Sequence, residues 1–293
     1  GSGKSTLALT LLRVLPPAAR IVTGSMRLEG DDLVAKSEVE MQSIRGKRIA
    51  MILQDPMASL NPLFTIGDQV GEPLRRHEGA SRASAWQRAI GLLKSVRIPS
   101  AETRVGQYPH EMSGGMRQRI VGAIGISCEP RLLIADEPTT SLDLTIQAQY
   151  LNLLRDLQRE HGLALMFITH NLGIVARYAD RVNVMYAGKI VESGSASDVF
   201  KKPRHPYTHG LMESVPRLDA TEHKRLFAID GQPPLLVEPI PGCSFEPRCA
   251  WRIDRCKTEA PPLELKEEKH WAACWRNPMV DAQTVAPAAA ARA

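Results

Sequence analysis

The run Leu132-Leu133-Ile134-Ala135-Asp136-Glu137 constrains this chain most: an apolar strand that ends in two adjacent carboxylates. A compact apolar run of this length fits a strand covered on both faces, the usual state of a parallel sheet between helices. Phosphoryl-transfer sites need an acid at such a strand end to hold Mg²⁺. Asp136 fits that need, and Glu137 is placed to polarise an attacking water as general base. Far upstream, Gly1-Ser2-Gly3-Lys4-Ser5-Thr6 matches the second half of a glycine-rich phosphate loop. Its glycines let backbone N–H groups close around phosphate oxygens. Lys4 is placed for the β- and γ-phosphates and Ser5 for Mg²⁺, with the positive end of the following helix behind them. In isolation either segment is an ordinary loop or a solvated acidic turn; together they point to one site.

The rest of residues 1–200 supports an α/β fold with a largely parallel sheet. Leu7, Ala8, Leu11, Leu12 and Leu15 keep one apolar face of a helix, which Pro16-Pro17 ends. Strands are expected at 48–53 and 163–169, helices at 84–97 and 114–127, and a hairpin over 181–192 turning at Ala187-Gly188-Lys189. Beyond 200 prolines become dense, which predicts a small loop-rich unit over 201–285. The Ala-rich 286–293 reads as a disordered tail.

Composition excludes several classes. The 293 residues are 43% hydrophobic and 24% charged, enough for a sizeable core in a soluble domain. No apolar run approaches the roughly 18–20 residues of a membrane helix. The net charge of +5 comes without any long basic run, so a solvated surface is favoured over a nucleic-acid partner.

Met112-Ser113-Gly114-Gly115-Met116 precedes Asp136 by about twenty residues and resembles the signature motif of ABC ATPases, usually written LSGGQ. Met112 and Met116 depart from that pattern in the manner of the peptide-importer branch. A Ser-Gly-Gly turn that starts a helix is a sound anion site on physical grounds alone. Gln54 resembles the Q-loop glutamine that senses Mg²⁺ and water. Ser141-Leu142-Asp143 resembles the D-loop, and His170 the switch histidine. The resemblance implies a P-loop NTPase fold of the ABC type, with a helical subdomain at about 70–130 and a small C-terminal domain. It implies ATP and Mg²⁺ as ligands. The cofactor set is then Gly1, Ser2, Gly3, Lys4, Ser5, Thr6, Gln54, Asp136, Ser113, Gly114, Gly115 and Asp143. Ser5, Gln54 and Asp136 would face Mg²⁺, and Glu137, His170 and Gln54 would serve hydrolysis. The first loop glycine would precede Gly1, so the chain is expected to be an N-terminally truncated form that binds ATP poorly alone.

Gln54-Asp55-Pro56-Met57-Ala58-Ser59-Leu60-Asn61-Pro62, Tyr108-Pro109-His110-Glu111 and His205-Pro206-Tyr207-Thr208 resemble the dipeptide/oligopeptide/nickel importer ATPases. That family implies a second ATPase subunit, identical or homologous, two membrane permeases and a solute-binding protein, with the chain at the cytoplasmic face of the membrane. Peptides are the expected cargo, with nickel or another small solute as the alternative. A non-transport ABC ATPase, or an iron–sulfur module with a decayed ATPase, are the more distant alternatives. Cys243, Cys249, Cys256 and Cys274 lack the short C-x-x-C knuckle usual for zinc. They resemble the family's cysteine-bearing region, which implies a [4Fe–4S] cluster; zinc and no metal remain open. Trp251, Trp271 and Trp275 read as core of the small domain, or as a shield for such a cluster. Cys128 reads as a small buried apolar residue. Gly122 and Gly125 each cost the 114–127 helix roughly 0.5–1 kcal/mol against Ala, for no reason visible in the sequence.

Overall fold

The computed structural model describes residues 2–140, 142–215 and 228–278. Gly1, Ser141 and the expected 286–293 tail lie outside the described residues. The chain divides into two compact units, Ser5–His170 and Gly1–Lys4 with Asn171–Ala293. This division does not fall at the compositional boundary near 200. The strand Lys189–Ser195 pairs with His270–Ala272, so the 181–195 hairpin belongs with the C-terminal region.

The first unit is built on a parallel three-stranded sheet, in which Leu132–Asp136 lies between Ile49–Ile52 and Ala164–Ile168. Side chains alternate across it. Leu133 and Ile52 face one core with Ile120, Ala123, Ile126 and Leu153. Ile134, Ile49 and Ile168 face another with Ala8, Met41 and Ile44. Burial on both faces is why the central strand carries no polar residue before Asp136. The helix Leu144–His161 buries Tyr150, Leu151, Leu153, Leu154 and Leu157, a stripe at helical spacing. Each such leucine contributes roughly 1.5–3 kcal/mol by leaving water. The helical subdomain comprises Ile66–Val70, Glu72–Glu78, Arg82–Ser95, Ala101–Arg104 and Gly114–Ile126. Cys128 is buried there beside Leu74 and Ala85, and burial pushes its thiol pKa up.

The opening helix spans Lys4–Leu11, shorter than its apolar pattern. Arg13 turns into left-handed backbone at φ 52, and its guanidinium reaches the carbonyls of Leu33 and Lys36. Tertiary hydrogen bonds thus end the helix before Pro16.

Gly122 and Gly125 acquire a packing reason. A Cβ on Gly122 would meet the Tyr150 hydroxyl at 3.1 Å, and one on Gly125 would meet Leu133 Cδ1 at 3.1 Å and Ile52 Cγ1 at 3.5 Å. The helix therefore lies directly on the sheet. Gly91, in the Arg82–Ser95 helix, has nothing within 4 Å of such a Cβ. Gly91→Ala is expected to stabilise by ~0.5–1 kcal/mol through helix propensity. Gly125→Ala is expected to destabilise by ~1–2 kcal/mol because overpacking outweighs the same gain. Urea unfolding of the two variants checks the opposite signs.

In the second unit Arg181–Tyr186, Lys189–Ser195, His270–Ala272 and Glu264–Glu267 form an antiparallel sheet in that order. Ala187 and Gly188 both take positive φ at the hairpin turn, which matches the twist of the strands. His205 caps the helix Pro206–Glu213: its Nδ1 accepts the Tyr207 N–H at 3.0 Å, and Pro206 occupies the first helical position. The buried Glu192 carboxylate accepts the N–H groups of Arg204 at 2.7 Å and His205 at 2.9 Å. It also meets His270 Nε2 at 2.7 Å. The His-Pro-Tyr-Thr segment is thus pinned to the nearby strand Lys189–Ser195, whose Glu192 is itself tied to His270 of a strand 78 residues on.

Burial pushes the His205 pKa down to about 3 from an ordinary 6.5. The unfolded chain therefore takes up a proton near pH 6.5 that the folded chain refuses until about pH 3. Stability from this residue is complete above pH 6.5 and lost as pH falls through that window, with a limiting slope of ~1.4 kcal/mol per pH unit. His205→Asn retains a capping side chain and is expected to flatten the slope; denaturation midpoints from pH 7 to 4 measure the difference.

Candidate active site

The sheet's register brings the expected residues to one edge. Ile52 pairs with Ala135, and Asp136 with Ile168. Gln54, Glu137 and His170 each follow one of these strands, at the carboxyl end where parallel sheets form their sites.

Glu137 is the centre of the group. Its Oε2 accepts the Gln54 amide at 3.1 Å and the Thr140 hydroxyl at 3.2 Å, and its Oε1 lies 2.9 Å from His170 Nδ1. Its backbone N–H donates to the Ile168 carbonyl at 2.8 Å. Its φ is +45°, a left-handed conformation uncommon outside glycine. A strained residue held by hydrogen bonds on several sides is the pattern of a positioned functional group. The Glu137 side chain is mostly buried while His170 stays 69% exposed, so the imidazole can meet a ligand from solvent.

Asp136 is 5% exposed, and its Oδ1 has no hydrogen-bond partner among the described residues. An unsatisfied buried carboxylate oxygen is costly, and a divalent cation or its water would relieve that cost. The residue therefore fits the Mg²⁺ role.

Ser113 caps Gly114–Ile126, accepting the Met116 N–H at 3.3 Å, and leaves Gly114 exposed at the helix start. A Cβ on Gly115 would meet Ile146 Cγ2 at 3.0 Å, so that glycine also serves packing. Asp143 caps its own helix, accepting the N–H groups of Thr145 and Ile146 at 3.0 Å each. Its immediate role is local. Lys4, Ser5 and Thr6 form the first turn of the opening helix, after Gly3 at φ 86. The Ser2 carbonyl accepts the Gly188 N–H at 3.1 Å.

Thr140 escaped the sequence reading. Its hydroxyl binds both the carbonyl and the carboxylate of Glu137, at 3.2 Å each. The available signal was a threonine three residues after the acid, the spacing at which a hydroxyl folds back onto backbone.

The four late cysteines are free thiols. Cys243 and Cys249 pack against the cluster of Tyr186, Val191 and Phe245. The Cys243 N–H donates to the Cys256 carbonyl at 2.8 Å. Burial pushes the Cys249 thiol up to about 12 and the Cys274 thiol up to about 11, and neighbouring cysteines add to both. Yet among the described residues no three His, Cys, Asp or Glu side chains gather as a metal-binding group. The expected cluster ligand set is therefore not assembled here, and burial favours the neutral thiol over the metal-binding thiolate at Cys243, Cys249 and Cys274. Trp251, Trp271 and Trp275 are half-buried and contact His209, Arg181 and Arg255 respectively.

A covered parallel sheet with acid, amide and imidazole at its strand ends, and a Gly-Lys-Ser helix start, defines a P-loop nucleotide hydrolase. Comparison with known proteins narrows the class. Residues 1–140 match the family described as ABC transporter, and residues 191–256 match the oligopeptide/dipeptide transporter C-terminal region. The chain is 52% identical to a Brucella ovis protein named as a peptide import ATP-binding protein, across 94% of this chain and 85% of that one. It is 48% identical to the dipeptide transport ATP-binding protein of Bacillus subtilis, across 94% and 82%. Among solved structures it resembles a dimeric ATP-binding cassette in a post-hydrolysis state bound to ADP and phosphate. The TM-score is 0.58 and the identity 25%, over 67% of this chain and 81% of that one. The chain belongs to the ABC transporter ATP-binding proteins of the oligopeptide/dipeptide type, and it is an ATPase.

Proposed function

We infer that this chain is the ATP-hydrolysing subunit of an importer of di- or oligopeptides. The observation that carries the hydrolytic part is Glu137, held between Gln54 and His170 at the strand ends. Lys4, with Gly1, Ser2, Gly3 and Thr6, binds the phosphates of ATP. Ser5, Gln54 and Asp136 would hold Mg²⁺, which when bound offsets charge on the phosphate oxygens. Glu137 takes the proton of the attacking water as general base. Gln54 and Thr140 orient its carboxylate, and His170 swings from Glu137 to donate to the γ-phosphate. Ser113, Gly114 and Gly115 cover the γ-phosphate held by a second ATPase subunit, identical or homologous, with Asp143 at the junction. Two permeases and a solute-binding protein complete the assembly. Among the described residues no helix is long and apolar enough to cross a membrane. As an importer ATPase the chain works as a peripheral subunit at the cytoplasmic face, through its permeases. Functionally the chain divides near 200, after the last ATPase motif and before His205-Pro206-Tyr207-Thr208. The test is co-purification with both permeases together with peptide-stimulated ATP turnover; turnover indifferent to both partners and peptide would refute the transport reading.

The Cys243, Cys249, Cys256 and Cys274 group is proposed to take a [4Fe–4S] cluster after rearrangement. The four-thiol donor set supports this. Anaerobically isolated protein is expected to carry about four iron and four sulfide per chain, lost in Cys249→Ser. Iron at background in the anaerobic wild type would refute it.

A further inference from the structure

Within the first unit, a pocket of about 540 Å³ opens between the helix Glu38–Ile44, the turn at 45–48 and the helix Glu72–Glu78. Pockets of this size are those that take small organic ligands. Four cations line it, Lys36, Lys47, Arg48 and Arg76, against one carboxylate, Glu40. Two of them are already paired. Arg48 binds Asp31 at 2.6 Å and Glu29 at 3.0 Å, and Lys36 binds Glu40 at 3.4 Å. Glu40 is occupied further by the N–H and hydroxyl of Ser37, at 2.7 Å each. Lys47 and Arg76 have no ion-pair partner among the described residues.

His77, the next residue after Arg76, also lines this pocket. Its ring packs on the turn at Gly46, where φ is +81° and a Cβ would come within 3.0 Å of Nε2. The positive φ favours glycine there, and the ring lies against the turn. Burial lowers the His77 pKa, and the charges of Arg76 and Lys47 lower it further, against Glu78. Lys36, Arg48 and Glu40 are the other charged groups lining the pocket. The ring is therefore neutral near pH 7 and keeps an N–H to donate.

We propose that this pocket binds a phosphate ester, with Lys47 and Arg76 supplying the charge and the His77 N–H a third donor. Lys47 and Arg76 are both exposed to solvent, and two unpaired cations lining one pocket attract anions to it. A phosphoryl group offers three oxygens and nearly two charges, enough for all three donors, whereas a carboxylate offers two oxygens and one charge. The pocket has room for the esterified body beside Val39 and Ile44. The ester is either a soluble metabolite or the phosphomonoester head group of phosphatidic acid.

Glycerol 3-phosphate, which represents both sources, is titrated against the full chain while NMR follows the His77 ring. The His77 pKa is expected to rise by roughly half a unit or more as the dianion reverses the local field. The rise should vanish in Lys47→Ala/Arg76→Ala and persist in Lys4→Ala, which disables the nucleotide loop instead. Sedimentation with vesicles that carry phosphatidic acid then separates the sources. Retention at least ~5-fold above the double variant, and lost at high salt, assigns a lipid head group. Equal retention beside a His77 response assigns a soluble ester. A His77 pKa that does not move with glycerol 3-phosphate, or moves equally in the double variant, overturns the proposal.

Discussion

Glu137→Gln is expected to lower ATP turnover by about 10²–10⁴-fold, the range that a positioned general base contributes. The substitution keeps the shape and the acceptor oxygen for the Gln54 amide, which donates at 3.1 Å. It removes the charge and the proton acceptor. ATP binding is therefore expected to survive, since the phosphate contacts belong to Lys4 and its loop, and nucleotide should accumulate unhydrolysed. Two comparisons separate chemistry from positioning. His170→Ala should also lower turnover while freeing Oε1 of its 2.9 Å neighbour. Thr140→Ala should cost far less, because Gln54 still holds Oε2. Single-turnover assays on the assembled transporter measure all three. Undiminished turnover in Glu137→Gln would remove the base assignment.

The largest effect on stability is expected at Gly242. A Cβ there would lie 2.3 Å from the Cys256 carbonyl oxygen and 2.5 Å from that of Lys257. Both are backbone atoms, so no rotamer change relieves the overlap. The neighbouring Cys243 N–H already uses the Cys256 carbonyl at 2.8 Å, which locks the two segments together. Gly242→Ala is expected to cost about 3 kcal/mol or more, at the upper end for overpacking. The loss should appear in the cysteine-bearing region first. Cys243 and Cys256 should react faster with a thiol reagent, while the Ser5–His170 unit keeps its unfolding midpoint. Unchanged thiol reactivity would show that the loop shifts without cost.

The fold was legible wherever local pattern and tertiary environment agree. Leu132–Asp136 announced a strand buried on both faces, and it is the central strand of the sheet. Gln54, Glu137 and His170 were legible because each follows an apolar run, and parallel strands align such ends. What escaped depends on long-range partners. Glu192 meets His270 across 78 residues, a pairing no spacing announces. Gly122 and Gly125 seemed costly in a helix until Tyr150 and Leu133 appeared above them. The opening helix stops at Leu11 because Arg13 bonds carbonyls twenty residues on. The family resemblance implied a gathered cysteine ligand set, but among the described residues no three metal-ligating side chains come together, and buried thiols favour the neutral form. Thr140 supports the acid through a short turn that a motif centred on the acid overlooks.

The central claim is that hydrolysis at Glu137 drives peptide uptake. The direct measurement is accumulation of a labelled peptide in vesicles carrying the reconstituted transporter and its solute-binding protein, with ATP supplied on the side of this subunit. The account predicts ATP-dependent accumulation by the wild type and none above background with Glu137→Gln, although both assemblies bind ATP. Equal uptake by the two, or uptake without ATP, would contradict it.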